Sequence, residues 1–349
     1  MDREALIHET AELTEMAAAL PKGGLGTCAR VQAGLVLLVA LETINMNQNR
    51  DPLPRLTEAI AQAKGIVAST LAVGGELDSS RLHPDKVEIG VGHTIDLFEN
   101  AWTTYTPETY DHSVRLVEER LKRSGFDSAF FKGKTCFDGG CGTGRLSLAM
   151  AKMGAAKVTA VDLGADSLDY FREVIKRYGL TSIELVEQDV TDLSLWQNGS
   201  HDFVATNGVL HHTENCERGI VEHFRITKPG GIFWVYLYGA GGLYWDLYDT
   251  LKPLVLEIPP ATIRSILAAY GLREGLIYTF LDNFLAPRVY YLQSEFLDLL
   301  RQHGDFTWRY AKGRSEIDDT ETLLGTSYGP MIYGPEGEVR VIIEKNAAR

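Results

Sequence analysis

The chain has 349 residues, more than one domain usually holds, so a main domain and an accessory one are expected. Hydrophobic residues make up 45% and charged residues 23%, which excludes a disordered chain, a collagen-like chain and a coiled-coil rod. Against 34 Lys and Arg stand 47 Asp and Glu, a formal net charge of −13; a surface that acidic repels phosphate backbones, so no nucleic-acid partner is expected.

The N-terminus, Met1 to Glu9, is charged and lacks an apolar signal core. Glu4 to Leu20 reads as a helix stopped by Pro21, Thr27 to Asn45 as a second and Leu56 to Leu71 as a third. Gly23-Gly24-Leu25-Gly26 has no preceding strand and no following Lys-Ser/Thr, so it reads as a flexible connection and not as a phosphate loop. The apolar run Val31 to Ile44 is too short to span a bilayer and contains Gln32 and Glu42, so no membrane partner is expected. The second helix is apolar on most faces and must be covered on most faces, which favours a homodimer through the N-terminal helices. Residues 1–92 therefore read as a helical accessory or dimerisation domain, ending in a linker from residue 72.

Residues 93–132 read as a separate segment with Trp102, Tyr105, Tyr110 and His112, and a helix from Pro107 to Lys122. After Lys132 the pattern changes to short β-rich runs alternating with amphipathic helices, the signature of a parallel sheet covered on both faces. Strands are expected at Thr135–Asp138, Lys157–Asp162, Ile183–Glu187, Phe203–Thr206 and Ile232–Tyr238. Helices are expected at Arg145–Met153, Ser167–Tyr178 and Cys216–Ile226. Residues 239–292 read as an insertion, followed by a helix at Gln293–Arg301 and strands at Phe306–Ala311 and Val339–Glu344. The four cysteines, Cys28, Cys136, Cys141 and Cys216, form no CxxC pair, so reduced thiols in a cytoplasmic protein are expected, without a zinc site or disulfide framework.

The most informative stretch is Thr135-Cys-Phe-Asp-Gly-Gly-Cys-Gly-Thr-Gly-Arg145. A strand ends in an acid and runs into a glycine-rich turn that opens a helix, a site for close backbone approach of a ligand. The dinucleotide spacing G-x-G-x-x-G fails in both registers: the third glycine would fall on Arg145 or on Ser147. About 20 positions beyond the turn, Asp162 ends the next strand, where a carboxylate is placed to accept hydrogen bonds from ribose hydroxyls.

Asp138-Gly-Gly-Cys-Gly-Thr-Gly144 resembles the first motif of class I S-adenosylmethionine (SAM) dependent methyltransferases. The resemblance continues through Val158-Thr-Ala-Val-Asp162, Glu187-Gln-Asp-Val190, Asn207-Gly-Val-Leu-His-His212 and Lys228-Pro-Gly-Gly231. It implies a Rossmann-like seven-stranded sheet with an antiparallel last strand, within a SAM-binding domain at 133–349. It implies that Asp138, Gly139, Gly140, Cys141 and Gly142 hold the methionine part of SAM, and that Asp162 holds the ribose. Leu163 would lie against the adenine, Asp189 and the Val190 N–H would bind it, and Asn207 would run beneath the sulfonium. S-adenosylhomocysteine would be the product, and no metal is expected.

His211 and His212 stand at the carboxyl edge of the sheet, where one of them can act as a base or merely position the loop; Tyr105 is the third candidate for chemistry. A base is needed only where the acceptor atom has a proton to lose. Trp102, Tyr105 and Tyr110 form a candidate lid. The insertion forms a candidate cap, with Tyr244, Trp245, Arg288 and Tyr290 facing a small substrate. Arg288 can clamp a carboxylate, or sit on the surface. The expected activity is in-line methyl transfer to a small metabolite, with the acceptor atom open among O, N, C and thioether S. The alternatives are an NAD-type oxidoreductase, which shares the fold and the ribose acid, and a SAM-binding regulator without catalysis.

Overall fold

The structure is a computed structural model and describes residues 2–73 and 106–346. In chain order its main elements are helices α1 (Arg3–Ala18), α2 (Gly24–Asn45), α3 (Leu53–Val73) and α4 (Pro107–Arg123), then strand β1 (Thr135–Gly139). Next come α5 (Arg145–Lys152), β2 (Lys157–Asp162), α6 (Ala165–Tyr178), β3 (Ile183–Glu187), β4 (His201–Asn207), α7 (Cys216–Ile226) and β5 (Thr227–Leu237). They are followed by α8 (Leu243–Leu251), α9 (Pro260–Ala269), α10 (Glu274–Leu285), α11 (Gln293–Arg301), β6 (Phe306–Tyr310) and β7 (Val339–Lys345). The chain divides into two compact units: the N-terminal helices with 241–286 and 326–335, and the rest from residue 94 onward.

The second unit contains a seven-stranded sheet in the order β3-β2-β1-β4-β5-β7-β6. β1 to β5 run parallel, and β7 lies antiparallel between β5 and β6. This is the Rossmann-like methyltransferase architecture expected from the motifs, including the antiparallel last strand. Successive residues of a strand point to opposite faces. Cys136, Phe203, Ala205 and Trp234 accordingly fill one core, while Phe137, Val204, Phe233 and Val235 fill the other. Burial on both faces explains why these strands read as continuous apolar runs rather than alternating ones. Lys228-Pro-Gly-Gly231, expected as a turn before a strand, is an irregularity within β5: the register passes from His201↔Thr227 to Phe203↔Ile232.

The helical unit joins the N-terminal helices to the segment expected as a cap. Arg30 of α2 donates to the carbonyls of Ala17 and Leu20, satisfying acceptors left open at the end of α1. Gly23–Gly26 was expected to be a flexible connection, but α2 begins at Gly24. The reason is steric: a Cβ on Gly26 would stand 2.1 Å from the Pro21 carbonyl oxygen, so only glycine lets the connection close this tightly. Gly34 similarly admits the ring of Phe280. α2 has 22 residues and, by length and composition alone, is apolar enough to cross a membrane; 56% of its most apolar window is buried inside the protein.

Gly144 adopts φ 80° and an added Cβ would stand 2.1 Å from the Phe171 ring, whereas Gly142, at φ 51°, has nothing within 4 Å of that position. Gly142→Ala is expected to cost about 1–2 kcal/mol for the left-handed backbone. Gly144→Ala is expected to cost a further about 1–3 kcal/mol for overpacking. Urea denaturation of the two variants measures the difference; equal losses would contradict the packing around Phe171.

Candidate functional site

The glycine-rich turn is tied down by its neighbours. The N–H groups of Gly140 and Cys141 both donate to the Val161 carbonyl at the end of β2. Gly139 lacks a side chain where the His223 ring sits, and Gly140 where Val209 sits; a Cβ would come within 2.0 Å and 2.3 Å of them. Asp138 is turned inward, 2% exposed, and accepts a 2.6 Å hydrogen bond from Ser147 on α5. Burial pushes its carboxyl up to about 6. Cys141 keeps its thiol buried and protonated, because burial beside Asp162 and Asp138 raises it. Gly144 opens α5 with no side chain capping the helix N-terminus.

At the next strand end, Asp162 accepts from the N–H of Gly142 at 2.7 Å and of Gly164 at 2.9 Å. Burial raises its pKa. Leu163 beside it is 38% exposed. The N–H of Gln188 donates to the Asp162 carbonyl, which brings the β3 end and Asp189 alongside. Asp189 is exposed and accepts from the Thr191 N–H, while the Val190 side chain is buried. The structure thus gathers Asp138, Gly139, Gly140, Cys141, Gly142, Asp162, Leu163, Asp189 and Val190 along one edge of the sheet.

Asn207 stands on the other side of the turn. Asp138 pairs with Ala205, so the residues two further on, Gly140 and Asn207, end side by side. Beyond it His211 is fully buried, stacked on Tyr238 at 3.8 Å, and neither ring nitrogen has a partner among the described residues. Burial, with His212 and Arg288 nearby, holds it far below the ordinary histidine range and therefore neutral. His212 Nδ1 lies 2.7 Å from the Pro287 carbonyl oxygen. A carbonyl can only accept, so Nδ1 carries a hydrogen, and in the neutral form of the ring Nε2 is the basic nitrogen. Arg288 and Tyr290 follow Pro287 on a partly buried run whose neighbour Val289 donates to the His211 carbonyl. The histidine pair and Arg288 are therefore brought together.

Other expected substrate residues lie elsewhere. Tyr110 is fully buried and its hydroxyl donates to the Thr143 carbonyl at 2.7 Å, so it packs α4 onto the glycine turn instead of facing a substrate. Tyr244 and Trp245 belong to the helical unit, 7% and 4% exposed; the Tyr244 hydroxyl donates to Glu42 and accepts from Asn283. Their side chains are used in that unit's interior. Trp102 and Tyr105 lie outside the described residues. No group of three or more metal-binding side chains occurs among the described residues. All four cysteines are free thiols.

Sequence reading missed Arg120, Tyr236, Tyr238 and Arg340. Asn207 pairs with Tyr236, and Tyr236 with Arg340, so these residues continue the row beyond the turn. Arg120 donates to Asn207 at 3.3 Å. Nothing in a charged helix such as Glu118-Glu-Arg-Leu-Lys-Arg123 marks one arginine as facing inward; only the strand register does.

Residues 137–235 match the protein family described as methyltransferase domain. The chain is 32% identical over 132 residues to an S-adenosyl-L-methionine-dependent Diels-Alderase of Talaromyces variabilis, covering 37% of this chain and 44% of that protein. It is 34% identical over 133 residues to a ubiquinone biosynthesis O-methyltransferase of Xanthomonas oryzae pv. oryzae, covering 37% and 52%. It is 29% identical over 172 residues to a malonyl-[acyl-carrier protein] O-methyltransferase of Serratia marcescens, covering 46% and 63%. The chain therefore spans about half the length of the first two relatives. With their strand order and glycine turn, residues 137–235 form a SAM-dependent methyltransferase domain.

Burial also sets how the fold responds to acid. His201 and His223 are pushed down to about 4, and His211 is lowered too. The unfolded chain protonates these rings near pH 6.5, the folded chain only at lower pH, so stability is lost as pH falls from about 6.5 toward 4. Asp138, raised to about 6, acts in the opposite sense: its contribution is present below its unfolded value and lost as pH rises through about 6. Three histidines oppose two raised carboxyls, Asp138 and Asp162, so a net fall in Tm from about pH 6.5 to 4.5 is expected, with a shallower slope in His223→Gln. An unchanged slope in that variant would contradict a neutral buried His223.

Proposed function

We propose that this protein transfers a methyl group from SAM to a small molecule. The observation that carries this reading is the arrangement around Gly142. Its left-handed backbone is open to a ligand, the Asp162 carboxylate lies against it, and exposed Leu163 follows. Open backbone, ribose acid and apolar surface in that order fit SAM, and the uncapped start of α5 suits its carboxylate.

When bound, SAM supplies a methyl group already activated by the positive sulfur, so the protein mainly aligns and desolvates the acceptor. Asp162 holds the ribose, and each of its oxygens retains a lone pair beyond the one given to the turn. Asp189 and the Val190 N–H hold the adenine. Asp138 acts through Ser147, keeping the turn rigid. The names of two relatives support a hydroxyl or carboxyl oxygen as acceptor. For a hydroxyl, His212 Nε2 takes the proton, because the Pro287 carbonyl fixes Nδ1 as the donor. The acidic surface supports a small acceptor over a nucleic acid.

A second reading comes from the Diels-Alderase relative: SAM held as a structural partner of another reaction on the same small-molecule site. The two are separated by whether S-adenosylhomocysteine is released when the protein is incubated with SAM and a cell metabolite pool.

Titration calorimetry with SAM and S-adenosylhomocysteine is expected to show binding weakened at least about tenfold in Asp162→Ala. Undiminished affinity would remove Asp162 as the ribose acid. His212→Gln is expected to lower the rate of S-adenosylhomocysteine release by about 10²–10⁴ with SAM affinity intact. If His212→Gln turns over normally while the acid limb of the wild-type rate profile lies well below 6.5, His211 is the base instead.

A further inference from the structure

The row that begins at Asp162 and the glycine turn continues through Asn207 and Tyr236 to Arg340. Arg120, in the last turn of α4, reaches this row from above one face of the sheet. One of its terminal nitrogens donates to Asn207 Oδ1, and its guanidinium lies 5.3 Å from the centre of the Trp234 ring. Its Nε is buried without a partner, and it forms no ion pair among the described residues. Around it, Arg340 sits over Tyr236 at 4.4 Å and is paired with Glu338 at 2.7 Å. Arg314 adds a further positive charge and Asp318 a negative one.

A desolvated guanidinium without a carboxylate is costly to a fold. Here the neighbours make it costlier, since burial together with Arg340 and Arg314 lowers the pKa of Arg120 to about 9. It remains cationic at neutral pH. Glu338 is taken up by Arg340, so it offers Arg120 no carboxylate partner. Side chains held in such unfavourable surroundings cluster at ligand sites.

We propose that Arg120, with Asn207, binds a carboxylate of the methyl acceptor. This rests on the reading of the β1 turn as the SAM site, and it places the acceptor's anionic end on the β4–β5 side of that turn. Neighbouring strands are about 4.8 Å apart, so the carboxylate and the transferred methyl stand within the span of one small molecule. One guanidinium beside one amide fits a carboxylate; phosphate, with more charge and more acceptor oxygens, would call for a richer donor set. The guanidinium's planar fork matches a carboxylate, and lysine would keep the charge while losing that geometry.

The test follows the Arg120 Nε–H resonance by NMR in the full-length protein saturated with S-adenosylhomocysteine, the resonance being assigned by its loss in Arg120→Lys. Acetate is the probe, acetamide its neutral counterpart, and inorganic phosphate the competing anion. Saturable shifts are expected with acetate, with at least about tenfold weaker responses to acetamide and phosphate. Arg120→Gln is expected to keep S-adenosylhomocysteine affinity within about twofold and not to lower Tm, since it removes a partly buried charge that has no carboxylate partner among the described residues. Equal responses to acetate and acetamide, or a stronger one to phosphate, would overturn the assignment. A markedly lower Tm in Arg120→Gln would make Arg120 a structural residue. Failure of S-adenosylhomocysteine to bind the wild type would instead sink the cofactor reading, so the two failures are told apart.

Discussion

Everything at the site depends on the position of β1, held in parallel register between β2 on one side and β4 on the other. Parallel pairing brings the carboxyl ends of three strands to one edge. The strand order reverses at β1, so the connections leaving β1 and β4 diverge and open a crevice between them. The glycine turn enters that crevice from β1, Asp162 flanks it from β2, and Asn207 flanks it from β4. A slip of one residue in either pairing would carry these groups to the wrong face.

The glycines serve this placement in different ways. Gly139 and Gly140 make room for His223 and Val209, so the turn can lie flat against the protein. Gly144 makes room for Phe171 where α5 starts. Only Gly142 is without such a neighbour, and it is also the one whose N–H is held by Asp162. Three glycines thus close the turn onto the core and one leaves it open outward.

The two sides of the crevice differ in charge. On the β2 side, Asp162 and Asp189 present acids, which suits hydroxyl and amino donors. On the β4 side stand the neutral His211, His212 and the guanidiniums of Arg120, Arg288 and Arg340. In the proposed reading, this asymmetry separates a cofactor end from an acceptor end on a molecule whose overall charge is −13. His211 stays neutral for the same physical reason that Arg120 is costly: both are removed from water near other positive groups.

Local sequence was enough to determine the parallel sheet, its strand positions and the glycine turn, because hydrophobic periodicity and backbone steric limits act over a few residues. It was also enough to place Asp162 at the end of β2, whereas Asp189, two residues beyond β3, was singled out only by the family resemblance. Where alternatives remained, they concerned side chains whose partners are far along the chain. Tyr110 looks like an exposed aromatic until α4 packs on Thr143, and Tyr244 and Trp245 look like cap residues until they are buried with Glu42 and Asn283. Gly26 reads as a hinge until the Pro21 carbonyl closes on it. Arg120, in a helix whose charges read as a solvated face, meets Asn207 only because β1, β4 and β5 are in register beneath it. Tertiary structure decided these because burial and pairing are properties of contacts between segments distant in the chain, and no local pattern of residues encodes which of two exposed-looking side chains will be covered.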